Sequence, residues 1–113
     1  MDRLAEYRRL IQCALRESPY LRYGSAYPNV DTICLLDTMG DNYLLMDIGW
    51  AGQERVRRTL LHLRIKNDKI WIEEDWTEEG ITDELLKAGV PKEDIVLAFN
   101  PPSFREYTDF AIA

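Results

Sequence analysis

The sequence is poor in the residues that build chemical sites: its 113 residues include one histidine and two cysteines, with no CxxC pair. Structural zinc sites need four such ligands at set spacings, so the composition argues against one. Cys13 and Cys34 fall within apolar patterns, which predicts reduced, buried thiols in a cytoplasmic protein. We therefore expect no disulfide, no metal and no other cofactor.

Long hydrophobic runs are also lacking, since no stretch approaches the ~18 apolar residues of a membrane-spanning helix. The first ten residues, MDRLAEYRRL, are charged from the second position on, so we expect a soluble, intracellular protein. A glycine-rich phosphate loop, a nucleophile elbow and a dinucleotide fingerprint are absent as well. The sequence therefore predicts neither a nucleotide-dependent enzyme nor a small-molecule substrate.

Positive charge is scarce in the second half of the chain. The net charge is −6, and residues 67–113 hold four basic against twelve acidic side chains, whereas residues 1–66 hold ten against eight. A protein that clamps DNA without sequence preference needs clustered positive charge. The acidic second half argues against direct nucleic-acid binding and favours a protein partner, for which a basic surface would be the complement.

An amphipathic helix is predicted for residues 2–17, because its apolar side chains recur at spacings of three and four. Ser18-Pro19 is expected to end it. Residues 20–29 show no clean period and are interpreted as a surface loop. Its aromatic side chains either cover a sheet edge, which we favour, or take part in binding; they are Tyr20, Tyr23 and Tyr27.

A β-hairpin within residues 42–75 is the basis of the predicted sheet. Two runs with period-2 alternation flank Asn67-Asp68, residue types that tolerate the left-handed backbone of a two-residue turn. Two earlier strands, 32–37 and 42–50, flank a turn in which Gly40 would supply the positive φ. The strands form a meander, and the face assigned to the helices carries Leu44, Met46, Ile48, Leu61, Leu63, Ile65, Ile70 and Ile72.

A second helix is predicted from an N-cap at Thr77 to about Ala88, with Gly89 as the residue that follows it. Residues 95–99 then form a strand or a buried extended segment, and residues 107–112 one last short strand. The prediction is a single domain over residues 1–113 of the α+β class. An antiparallel β-meander carries the N-terminal helix and the helix of the C-terminal half on one face.

The opposite face of the sheet is the candidate functional site. Apolar and aromatic side chains bordered by charges are typical of association surfaces, and the predicted set is Arg58, Leu60, His62, Arg64, Trp71 and Glu73. Tyr43 and Leu45 are assigned to the same face. We expect this face to mediate a homodimer, or to bind another protein. The alternative is that residues 104–112 fold back over it in the same chain.

Two possible chemical sites have simpler interpretations. Catalysis by His62 would need a second positioned group and a pocket, so a cross-strand hydrogen bond or an interface contact is favoured and no catalytic residue is predicted. A cluster of acidic residues could suggest a hard cation but lacks a calcium-loop pattern, so a solvated face is favoured. The cluster is Glu73, Glu74, Asp75, Glu78, Glu79, Asp83 and Glu84.

Nearly the whole chain resembles the XisI family, the cyanobacterial fdxN-element excision controlling factors. The most specific motifs are KIWI at residues 69–72, DWTEEG at 75–80 and AGVPKEDIVL at 88–97. The resemblance implies an XisI-like fold and a regulatory role in the recombinase-driven excision of a DNA element during heterocyst differentiation. Trp76 stands where the family pattern usually has a small residue, and Asn100 where it usually has histidine.

The same resemblance implies an XisH-like partner, a protein similar to restriction endonucleases. We therefore predict a non-enzymatic regulator that binds this partner. One alternative is a DNA-binding accessory factor that uses a stripe formed by Arg55, Arg57, Arg58 and Arg64. Another is an inhibitor that restrains the nuclease-like partner in the manner of an antitoxin.

Overall fold

The computed structural model describes residues 2–113. Helices and strands follow one another in an order that keeps β1 to β4 contiguous in the chain, with helices before and after them. The elements are α1 (Arg3–Arg16), α2 (Pro19–Tyr23), β1 (Val30–Asp37), β2 (Asn42–Ala51), β3 (Glu54–Lys66), β4 (Lys69–Asp75), α3 (Ile81–Lys87), a 3-10 turn (Lys92–Asp94), β5 (Ile95–Leu97) and α4 (Pro102–Arg105).

The five strands formed by residues 2–113 make one sheet in the order β1-β2-β3-β4-β5. The first four pair antiparallel as a meander, and β5 pairs parallel to β4, with Ile70 opposite Ile95. A parallel neighbour requires a crossover connection, which α3 and the turn after it supply. The predicted α+β class and meander are confirmed. Residues 107–112 form no strand, only a single bridge from Ala111 to Val96.

Helix α1 lies across the sheet because one side of it is apolar. Asp2 caps its first turn by accepting a hydrogen bond from the Leu4 amide at 3.0 Å, and Ile11 and Leu15 are fully buried. Burying side chains of this size contributes about 1.5–3 kcal/mol each. Helix α1 spans nearly all the residues predicted for it. None of the helices in residues 2–113 is long and apolar enough to cross a membrane.

A charged contact fixes the other side of α1 to the first turn of the sheet. Arg8 donates to both carboxylate oxygens of Asp41, at 2.9 and 3.0 Å, and the Tyr43 hydroxyl donates to Asp41 Oδ1 at 2.7 Å. The hydrogen bond from Arg8 lowers the pKa of Asp41. Burial and the bond to Asp41 raise the pKa of Tyr43 to about 12. Asp41 itself has a positive φ of 56°, so the prediction that Gly40 provides it is wrong.

The face of β2 that packs under the helices is the opposite of the predicted one. Tyr43 pairs with Leu63 and Leu45 with Leu61, and all four belong to the buried hydrophobic cluster. Residues directly opposite each other share a face of the sheet. The three β2 side chains assigned to the helix face therefore lie on the other side, and they are Leu44, Met46 and Ile48. For the rest of the predicted set the assignment holds: Leu61, Leu63, Ile70 and Ile72 are buried, and Ile65 packs against them.

Two segments differ from their predicted local structure. Helix α1 ends at Arg16 with Glu17 as its C-cap, and Ser18 caps α2 by accepting from the Tyr20 amide at 3.3 Å, so part of the predicted loop is helical. Helix α3 begins at Ile81, four residues after the predicted cap Thr77. Asp75 holds the intervening loop because its carboxylate accepts from the amides of Thr77 and Ile81, at 3.0 and 2.7 Å.

Turn chemistry explains the remaining connections. Asn67 and Asp68 have φ of 53° and 63°, the left-handed pair that a two-residue hairpin turn requires, as predicted. At Gly49 the requirement is space for a close backbone contact: its φ is 152°, and a Cβ built there would lie 2.0 Å from the Asn29 carbonyl oxygen. Only glycine lets β2 approach the start of β1 this closely.

Leu63 provides the most direct test of the core. It is fully buried beneath α1, so Leu63→Ala should lower the free energy of unfolding by about 2–5 kcal/mol. Met39→Ala is the matched control, because Met39 is 98% exposed and its loss should change stability by less than about 0.5 kcal/mol. Urea unfolding at one protein concentration measures both. Equal small effects would show that the sheet face under α1 is not the core.

Candidate association surfaces

The predicted site residues do not form one exposed group. Arg58 and Leu60 leave the predicted face because the pairing of β2 with β3 shifts by one residue between Leu45 and Met46. Arg58 then pairs with Asp47, on the helix side of the sheet, and its Nη2 lies 3.5 Å from the Asp47 carboxylate. Leu60, the extra residue of the shift, joins the buried hydrophobic cluster. Strict alternation predicts the wrong face for both.

Trp71 lies on the predicted face but is covered. Its side chain is 7% exposed, its Nε1 donates to the Lys66 carbonyl at 2.9 Å, and Lys66 Nζ lies 4.7 Å from the ring centroid. From the C-terminal segment, the Arg105 guanidinium stacks 5.5 Å from the same centroid. Ala111 bridges to Val96 beside it. The alternative, in which the C-terminal segment folds back, therefore holds for the β4–β5 side of this face.

The other three predicted residues stay together at the middle of the sheet. His62 Nε2 lies 3.1 Å from Asn42 Oδ1, and Arg64 Nη1 lies 3.9 Å from Glu73 Oε2. Burial lowers the pKa of His62, and the charge of Glu73 partly opposes this. The favoured interpretation of His62 as a cross-strand hydrogen-bonding residue agrees with this geometry. Their contact with a second protein stays a prediction.

An apolar surface that the prediction assigned to the core lies beside them. We call it the open face, and it consists of Ile33, Leu35, Leu44, Met46 and Ile48 on β1 and β2. Within residues 2–113 none of these side chains belongs to the buried cluster or packs against it. Leu35 is 44% exposed, and Trp50, at the end of β2, is 48% exposed. Contiguous apolar side chains left accessible on a small domain mark an interaction surface.

The acidic cluster divides between a structural role and a groove. Asp75 is used by the loop before α3, whereas Glu79, Asp83 and Glu84 line a groove of about 990 Å³ between α3 and the end of α1, together with Glu17. Burial, and then the charges of Glu17 and Glu79, raise the pKa of Glu84. Across residues 2–113 no set of three or more histidine, cysteine or acidic side chains could hold a metal ion.

Comparison with known proteins identifies the fold. A profile described as XisI protein matches residues 1–112. This chain belongs to the XisI family. A solved XisI-like protein from Anabaena variabilis superposes with a TM-score of 0.90 at 35% identity, covering 97% of this chain and 99% of that one. No curated protein of described function matches in sequence.

A second XisI structure is more similar in sequence. It is described as fdxN element excision controlling factor XisI from Anabaena variabilis, and it is 44% identical over 99% of this chain and 100% of that one, with a TM-score of 0.88. The two positions expected to depart from the family pattern are both near the surface. Trp76 is exposed and donates from Nε1 to Glu74 at 3.0 Å, and the Asn100 carbonyl accepts from Arg105 Nε at 3.0 Å.

His62 predicts a pH dependence of stability. Because its pKa in the folded protein lies below the ordinary 6.5, the unfolded chain binds more protons as the pH falls below that value, and stability is lost. Over the range from about pH 7.5 to about pH 5.5, the wild type should lose more unfolding free energy than His62→Gln. Asp41, with a pKa below 3.8, titrates outside this range. Identical pH dependence in the two proteins would contradict the burial of His62.

Proposed function

We propose that this XisI-family chain is a controlling factor in the excision of a DNA element of the fdxN type, and that it acts by binding an XisH-like protein without catalysing a reaction. One observation carries the proposal: 44% identity over 99% of the chain to a protein described as an excision controlling factor. A shared fold alone does not transfer function, but here 44% identity accompanies the shared fold, and the match covers 99% of this chain and 100% of that one.

The placement of the arginines supports protein binding over DNA binding. A phosphate-binding stripe needs its positive charges on one face. Arg55 stacks 5.4 Å from the Trp50 ring centroid, and Arg57 follows on the same face, opposite Ile48. Arg58 points to the other side and is paired with Asp47. Arg64 lies on the same face as Arg55 and Arg57, but its Nη1 is 3.9 Å from Glu73 Oε2. Two of the four arginines of the candidate stripe are therefore paired with carboxylates, and Arg58 lies on the other face.

The position of the only histidine supports a non-enzymatic role. General acid–base catalysis needs its proton carrier within reach of a substrate pocket. The groove between α1 and α3 is lined by acidic side chains and not by His62, which lies on the opposite face with Asn42 as its hydrogen-bond partner. Cleavage of DNA or hydrolysis of ATP by the purified chain, lost in His62→Ala, would contradict this part of the proposal.

An excision assay tests the function in a cell that carries the element, its recombinase and the XisH-like protein but lacks a XisI-type factor. The wild type should restore excision, as should Met39→Ala, whose side chain is exposed. Leu63→Asp should fail because it places a charge in the core. A wild-type chain that is present and folded in the cell but leaves the element in place would contradict the proposal.

The mode of action needs a separate measurement. Co-purification with the XisH-like protein, at a salt concentration at which the chain alone does not shift element-end DNA, is the expected outcome. Tight binding of that DNA by the chain alone, weakening steeply with salt, would replace protein binding with the DNA-binding alternative.

A further inference from the structure

The open face is bordered by charges of opposite sign on its two sides. A row of directly paired residues across this face takes one residue from each of three strands. One row consists of Asp31 on β1, Ile48 on β2 and Arg57 on β3. Another row holds Asp37, Asn42 and Arg64. The β1 side is therefore acidic, the middle is apolar, and the β3 side is basic.

We propose that two copies of this chain associate through the open face, with β1 of each copy lying over β3 of the other. Stacked sheets bury their inner faces about 10 Å apart with their strands nearly aligned. A homodimer is isologous, so the same surface must complement itself under a twofold rotation. The charge pattern across the open face meets this condition in one orientation.

The direction of the twofold axis decides the charge contacts. An axis parallel to the strands carries β1 over the partner's β3, so that Asp31 meets Arg57 and Asp37 meets Arg64, each contact occurring twice by symmetry. An axis across the strands would place β1 over β1 and bring like charges together. Like-charge juxtaposition is strongly unfavourable at an interface, which selects the first arrangement. A second copy is thus the occupant for which the charges are complementary.

The contacts within one chain leave Asp31 and Arg57 free for a partner, whereas Arg64 already lies 3.9 Å from Glu73 and Asp37 accepts from the amides of Met39 and Gly40. Among residues 2–113, neither Asp31 nor Arg57 forms an ion pair, and both are exposed. The two residues lie on strands separated by β2, roughly 10 Å apart across the sheet, too far for a direct contact. Trp50, with Arg55 stacked on its ring, extends the same face at its end, and tryptophan and arginine are enriched at the energetic centres of interfaces.

Charge reversal tests this arrangement in the purified protein alone, so the result does not depend on the proposed function. Sedimentation should show a wild-type dimer at tens of micromolar. Arg57→Asp and Asp31→Arg should each weaken the dimer by at least about tenfold, because each creates two like-charge contacts. The double variant Asp31→Arg/Arg57→Asp should return the dissociation constant toward that of the wild type, since both contacts are re-formed with their signs exchanged.

Arg22→Asp is the matched control, because Arg22 is an exposed arginine on α2, away from the open face. It should leave the dissociation constant unchanged. A wild-type monomer would overturn the proposal. So would a dimer indifferent to Arg57→Asp, which is the result expected if the copies pair edge to edge through β1, since β3 is an interior strand. A double variant no tighter than the single ones would overturn the placement of β1 over β3.

Discussion

The extra residue at Leu60 decides which side chains in the first half of β3 lie on the helix side of the sheet and which lie on the opposite side. A β-bulge inverts the alternation of every side chain beyond it. Here it turns Arg58 toward Asp47, which is buried and also accepts from the Thr32 hydroxyl at 2.6 Å. A buried carboxylate without such partners would be costly. The bulge also carries Leu60 into the core, where its carbonyl accepts from the Trp76 amide at 2.8 Å.

Elements governed by local chemistry could be predicted from the sequence, and faces governed by distant partners could not. Helix α1 and the Asn67-Asp68 turn follow from periodicity and turn propensity. Strand β2 is apolar on both sides, so its buried face depends on register with β3. One signal was available: a two-residue turn at Gly52-Gln53 places Asp47 opposite Arg58, as the structure does.

The candidate site could be predicted only in part, for the same reason. His62, Arg64 and Glu73 remain neighbours although the pairing of β3 with β4 shifts between His62 and Leu63, because Glu73 lies at this shift and its carboxylate reaches Arg64. Trp71 is removed from the surface by Arg105, a contact between residues far apart in the chain that no local pattern reveals. The accessible apolar surface was predicted on β3 and β4, but it lies on β1 and β2. It includes Leu44 and its neighbours, which had been assigned to the core.

The two faces of the domain therefore differ in what covers them. The helix side carries the core and an acidic groove, and the other side is closed by the C-terminal segment over β4 and β5 but open over β1 and β2. A controlling factor that works by protein contacts needs such accessible surface, whereas a DNA clamp needs a continuous basic one. The open face supplies accessible surface, whereas acidic side chains on β1 and β4 flank the arginines of β3 and interrupt the basic surface.

The oxidation rates of two methionines compare the solvent access of the open face with that of the rest of the surface in one experiment. Met46 lies in the middle of the open face and Met39 is in the exposed turn between β1 and β2. Hydroxyl-radical footprinting of dilute and concentrated wild-type protein should show oxidation of Met46 falling as concentration rises, with Met39 unchanged. Equal oxidation of Met46 at both concentrations, in protein that sediments as a dimer when concentrated, would contradict the account.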